Sequence, residues 1–196
     1  ADSTWKPLST GFNGLVQAFA TYDDGSGEAL YAGGAFTSTD GIVANAVARW
    51  NGTSWTAVST DSFNGPIHTM AAYDDGSGEA LYVGGSFTTV GGLTANRLAK
   101  WNGSTWSALG SGLNGFVNAL EAHDDGNGSA LYAGGTFTSA DGMAANHIAA
   151  WNGSSWSPVG SGTNDTVRAL ESHDAGGGPA LYVGGEFESV TETGDS

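Results

Sequence analysis

No cysteine occurs in the 196 residues. That excludes a disulfide framework and a thiol nucleophile, and leaves the redox compartment undetermined. Basic residues are nearly as scarce: 5 Lys and Arg stand against 20 Asp and Glu, a formal charge of −15. Such a balance argues against nucleic acid and anionic membrane as partners, and leaves calcium, basic partners or plain solubility open. No apolar run approaches the roughly 18 residues of a membrane span, so no membrane insertion is expected. The Ala1-Asp2 start carries no signal peptide, which reads as a mature product or an excised segment. Charged residues make up only 13% of the chain, about half the usual share, so the surface must be dressed in Ser, Thr, Asn and Asp. With 33 glycines and no helical period anywhere, the composition is that of a turn-rich β protein.

What is abundant is internal copying. The segment Ala80-Leu81-Tyr82-Val83-Gly84-Gly85-Ser86-Phe87 recurs as ALYAGGAF from Ala29, ALYAGGTF from Ala130 and ALYVGGEF from Ala180, at spacings of 51, 50 and 50 residues. A fixed period of this size marks a solenoid, propeller or array. An Asp opens the preceding turn at Asp23, Asp74, Asp124 and Asp174, and one Trp per unit falls at Trp5, Trp55, Trp106 and Trp156. A second Trp stands five residues before the last three, at Trp50, Trp101 and Trp151.

In the third unit, Phe116 to His123 reads as a strand, Asp124 to Gly128 as a hairpin turn, and Leu131 to Phe137 as a second strand of period two. The four Gly pairs need a reason, since Gly weakens a strand unless another backbone approaches closely. Tight packing between neighbouring units is the favoured one, with a β-bulge as the alternative. After a loop of about nine residues, a third strand ends at Trp151 and a fourth starts near Trp156. Asn152-Gly153 between them, like Asn51-Gly52 and Asn102-Gly103, suggests a type I′ hairpin.

Each unit is thus four short antiparallel strands. Four such units around a centre describe a β-propeller, which protects sheet edges by radial repetition. A single domain over residues 1–196 is expected, with units at 12–65, 66–115, 116–165 and 166–196 plus 1–11. The last blade is shared between the termini. It has its first two strands from Val167 to Phe187 and its fourth near Trp5, but no copy of His147 to Trp151. The gap stays open, is partly filled by Glu188 to Ser196, or takes a strand from another molecule; a window cut from a longer array is the alternative.

The order of strand, LYxGG, loop, strand ending in Trp, tight turn and Trp-x-x-Leu/Val resembles the kelch repeat. It is closer still to kelch-like repeats of secreted bacterial proteins, and Asn96 to Gly103 (NRLAKWNG) matches that pattern residue by residue. The resemblance implies a propeller and export to an extracellular or cell-surface location. It says little about ligand, because such folds host many functions.

Candidate chemistry is sparse. Asp23, Asp24, Asp74, Asp75, Asp124 and Asp125 sit in DDGxG-type turns that suit a tight hairpin. Carboxylate and carbonyl oxygens there make calcium the alternative reading, and no other cofactor is expected. His123 and His173 take the place of Tyr22 and Tyr73, which points to ring packing, while His68 and His147 read as a variable solvated face. Trp5, Trp55, Trp106 and Trp156 would pack between blades, or stack on sugars as in a lectin with one site per blade. Five sequons open at Asn51, Asn102, Asn127, Asn152 and Asn164. The Ser residues lie in repeated turns and compose no nucleophilic constellation, so no enzyme activity is expected. The function read from this pattern is an extracellular, non-catalytic scaffold or self-assembling subunit, with a multivalent lectin as the alternative. Its partners would be further copies of itself, another extracellular protein or glycans. The assembly edge would comprise Leu181, Tyr182, Val183, Phe187 and Trp5.

Overall fold

The computed structural model describes residues 8–190. Among them there is no helix, and every strand pairing is antiparallel. The first unit contains β1 (Leu15–Asp23), β2 (Glu28–Ala35), β3 (Ser38–Thr39), β4 (Ile42–Val43), β5 (Val47–Trp50) and β6 (Trp55–Ala57). The second repeats this as β7 (Ile67–Asp74), β8 (Glu79–Gly85), β9 (Thr89–Val90), β10 (Leu93–Thr94), β11 (Leu98–Trp101) and β12 (Trp106–Ala108). The third has β13 (Val117–Asp124), β14 (Ser129–Gly135), β15 (Ser139–Ala140), β16 (Met143–Ala144), β17 (Ile148–Trp151) and β18 (Trp156–Pro158). The fourth has β19 (Val167–Asp174) and β20 (Pro179–Gly185).

Three units form four-stranded sheets in the orders β1-β2-β5-β6, β7-β8-β11-β12 and β13-β14-β17-β18, while β19 and β20 form a two-stranded one. The blades stand side by side in chain order, β1 on β7, β7 on β13 and β13 on β19. This is a β-propeller built by repetition of one blade. Isolated bridges Phe63↔Val90, Leu113↔Ala140 and Thr163↔Val190 tie each of these residues to the blade that follows. A unit therefore begins there, three residues before the boundary read from the sequence.

Two turns differ from expectation. The Asn-Gly pairs are not two-residue type I′ turns, because Trp50 pairs with Trp55 across a four-residue loop. Asn51 instead accepts N–H bonds from Thr53 and Ser54 at 3.0 and 2.9 Å, and Gly52 alone takes the positive φ of 96°. The side-chain carbonyl competes for the donors that a tighter turn would need. The type I′ geometry lies inside what reads as a loop, where Thr39 pairs with Ile42 around Asp40 (φ 50°) and Gly41 (φ 78°). The second unit uses Gly91-Gly92 at this place and the third uses Asp141-Gly142.

Each Gly pair serves two needs at once. A Cβ on Gly84 would lie 2.6 Å from Val117 Cγ1 of the next blade, and one on Gly33 would lie 2.6 Å from Met70 Sδ. Gly134 meets Val167 and Leu170 in the same way. The second Gly of each pair, at 34, 85, 135 and 185, instead faces the carbonyl oxygen of Leu15, Pro66, Phe116 or Thr166, at or just before the start of the first strand of its own blade. There the register shifts, as between Ile67 and Thr69. Close packing and bulge are both real, one for each glycine; the neighbour's contribution is side chain, not backbone.

Three apolar clusters accordingly lie between blades, while a fourth, around Phe36, Ala48 and Trp55, lies within the first. Tyr31 and Val47 of the first pack with Ile67, Met70, Leu81 and Val83 of the second, and Tyr82 and Leu98 pack with Val117, Leu120, Leu131 and Ala133 of the third. In the second and third blades β8 and β14 are buried on both faces because a blade covers each side.

Two blade faces are left uncovered among the described residues. Phe19 on β1 is 58% exposed, whereas its counterparts Met70, Leu120 and Leu170 are 8% exposed or less. Tyr182 on β20 is 51% exposed, whereas Tyr31, Tyr82 and Tyr132 are buried. No strand pairs with the outer edge of β20 among the described residues. Glu188 and Ser189 donate their N–H groups to Asn164 Oδ1, as Thr37 and Ser38 do to Asn13. The tail thus follows the path of β3 as far as Val190 and does not fill the third-strand position there.

Candidate functional site

The Asp pairs are built into the hairpins that carry them. Asp23 Oδ1 accepts N–H bonds from Gly25 and Gly27 at 2.8 and 2.9 Å, and Asp74, Asp124 and Asp174 repeat this. The second Asp turns inward. Asp24 accepts from the Tyr31 hydroxyl at 2.9 Å and pairs with Arg49 at 3.0 Å; Asp75 accepts from Tyr82 at 2.7 Å and pairs with Lys100 at 2.5 Å. Asp125 keeps the Tyr132 contact, but Ala150 stands where Arg49 and Lys100 do, so no Lys or Arg pairs with it among the described residues.

Burial alone would raise the Asp75 carboxyl; hydrogen bonds from Lys100, Ser77 and Tyr82 outweigh it and hold the group well below the usual carboxylate range. The same balance lowers Asp24, with Ser26, Tyr31 and Arg49 as donors and counter-charge. Burial, then the charge of Asp125, pushes the Tyr132 phenol up to about 12. No group of three or more His, Asp or Glu side chains close enough to share a metal occurs among the described residues. In the first two units a cation would compete with backbone N–H groups and a resident basic side chain for the same oxygens.

The tryptophans divide by depth. Trp55 and Trp156 are 4% and 2% exposed, so neither presents a free indole face. Trp55 packs edge-on against Phe12 at 4.9 Å, and Trp156 lies 5.4 Å from Trp151 with its N–H directed to the Leu109 carbonyl. Trp106 is half-buried, edge-on to Phe63 at 5.0 Å, and lines a cleft of about 240 Å³ with Asp61, Val90, Leu93 and Ser104. Trp5 lies outside the described residues.

His123 is buried with its ring 5.6 Å from Tyr132, the packing expected there, and its Nδ1 lies 2.8 Å from Ser172 Oγ. Tyr22 and Tyr73 reach across in the same way, donating to the carbonyls of Glu79 and Ser129 in the next blade. His68 and His147 are not on a solvated face: both are half-buried, and His68 stands edge-on to Phe116 at 6.1 Å.

One recurring residue escaped the sequence reading. Asn13, Asn64, Asn114 and Asn164 each clamp two consecutive backbone N–H groups across the blade, as Asn114 does for Thr138 and Ser139 at 2.8 and 2.9 Å. Its signal was a polar residue present in all four units. The cleft of about 330 Å³ between the second and third blades is lined by Asn96, Arg97, Leu113, Asn114 and Ser139. Its amides are already committed, Asn96 to the Ser111 carbonyl and Asn114 to the clamp.

The expected assembly edge is divided by side. Leu181, Val183 and Phe187 pack partly against the third blade, while Tyr182 faces outward. Beside Tyr182, a Cβ on Gly184 would meet only the Ala169 Cβ, at 3.9 Å.

An array of four-stranded blades with glycine-fitted faces defines a repeat β-propeller, and comparison with known families agrees. The model of the Rax2 C-terminal beta propeller domain matches residues 2–175, and the chain belongs to that family. No curated protein and no solved structure matches it.

Proposed function

We propose that the chain is a non-catalytic, extracellular scaffold module that works by assembly, with the kelch-like secreted repeats as its nearest type. The observation that carries this is the pair of uncovered end faces, where Phe19 and Tyr182 are exposed although their counterparts are buried in every internal blade. The recurring Asp, Asn and Trp side chains support a structural role, because they are consumed in turns, clamps and packing. Native mass measurement over a concentration series tests the reading. Masses above that of one chain, growing with concentration, are expected; a single-chain mass at all concentrations with no bound partner refutes it.

Carbohydrate binding is the second reading, and Trp106 favours it as an incompletely buried indole beside a carboxylate-bearing cleft. Glycan-array binding that disappears in Trp106→Ala with the β spectrum intact would support it, and silence across the array would remove it.

A further inference from the structure

The two uncovered faces are the two halves of one interface that the array already contains three times. Within the chain, the forward half is a glycine on the second strand with a tyrosine two residues before it; the rear half is a pair of apolar side chains on the first strand of the next blade. Val167 and Leu170 meet Gly134, Val117 meets Gly84, and Ile67 and Met70 meet Gly33. A hydrogen bond from the end of one first strand to the next blade accompanies each pairing, from Tyr22, Tyr73 or His123.

At the array's ends both halves are present and unmatched. Val16 and Phe19 occupy the rear positions on β1, and Phe19 is exposed. Gly184 and Tyr182 occupy the forward positions on β20 with no further blade against them among the described residues, and His173, which corresponds to His123, is exposed. A closed four-blade ring would set these two faces on each other; here both are open.

We propose that the occupant of each face is a second copy of this chain, with Val16 and Phe19 of one copy seated on Gly184 and Tyr182 of the next. This rests on the assembly reading above and gives it a geometry. Copies join head to tail through blade stacking, not by strand addition at the free edge of β20. Such an interface is heterologous, so it generates a ring if the rotation closes and a filament if it does not. Burying one Phe on a glycine surface reproduces the contact that Met70 makes with Gly33 and Leu170 with Gly134, and the apolar area removed from water drives it.

Sedimentation of the 196-residue chain with two variants tests the geometry. Phe19→Asp destroys the rear half only, and Gly184→Trp fills the forward half only; both positions are open in the single chain, so each variant should keep its β circular dichroism. The wild type is expected to exceed 19.7 kDa increasingly with concentration, while each variant alone stays at that mass. Mixed together, the variants should form one species of twice the mass and nothing larger, because one intact half remains on each. If the wild type never exceeds a single chain, the assembly reading and this geometry fall together. If it assembles but neither variant changes the mass, or the mixture does not pair, stacking is overturned while assembly stands.

Discussion

Ala80 to Gly85 and Ala180 to Gly185 are the same six residues, ALYVGG, yet the same substitution in the two should have opposite effects. In Gly84→Ala the new methyl would stand 2.6 Å from Val117 Cγ1 and 2.9 Å from Thr69 Cγ2, so two side chains in a filled interface must move. Overpacking of this kind costs about 1–3 kcal/mol, and in a domain of this size that lowers the Tm by roughly 2–12 °C. In Gly184→Ala the methyl meets only the Ala169 Cβ at 3.9 Å. Removing the entropy of a strand glycine then stabilises by about 0.5–1 kcal/mol. Gly185→Ala is the internal control: its methyl would strike the Thr166 carbonyl oxygen within the same blade, so it should be harmful even in the fourth copy. Thermal and urea unfolding of the three variants, at concentrations where the chain is monomeric, measures all of this. Equal effects of Gly84→Ala and Gly184→Ala would refute the assignment of the first glycine to the contact between blades.

Asn114→Ala leaves the Thr138 and Ser139 N–H groups without their shared acceptor, at an exposed site that water can reach, and should cost about 0.5–1.5 kcal/mol in urea unfolding; Asn114→Asp, which keeps the acceptor, should recover most of it. The Asp75 carboxyl is held below its usual range in the folded state, so its contribution is present above the unfolded value of about 3.9. It is lost as the pH falls through the folded value, and Asp75→Asn should flatten the acid limb of stability against pH. Tyr132 behaves inversely, with its phenol raised to about 12. Its contribution is full below the unfolded value of about 10 and is lost as the pH rises through the folded one. An alkaline limb identical in Tyr132→Phe would contradict this. Trp156→Ala removes a buried indole whose N–H meets the Leu109 carbonyl and should cost about 3–5 kcal/mol, whereas the half-buried Trp106→Ala should cost less.

The period and the blade count were legible in the sequence because repetition supplies its own alignment: Leu30, Leu81, Leu131 and Leu181 need no outside reference. The turns were less legible. Asn51-Gly52 and Asp40-Gly41 are both good hairpin dipeptides, and only the pairing of Trp50 with Trp55 and of Thr39 with Ile42 shows which of them forms the two-residue turn. Depth was the least legible property. His68 and His147 occupy variable positions, which suggests solvent, yet both are half-buried, because position between blades decides burial and period within a strand does not. The sequence gives no sign of which residues of the candidate assembly edge face outward; in the structure Tyr182 is exposed while Leu181 is partly buried. Phe19 went unnoticed because a Phe among Met70, Leu120 and Leu170 looks like any other core residue.

The bonds that Tyr22 and Tyr73 send across to the neighbouring blade end on backbone carbonyls, those of Glu79 and Ser129. Every residue type offers that acceptor, and the glycine facing each apolar pair offers only an absence of bulk. At these joins a blade asks of the one beside it little more than that glycine and a backbone carbonyl. A unit copied or deleted whole by recombination would find its neighbours already fitted, so the length of such an array can change without any compensating substitution at the joins.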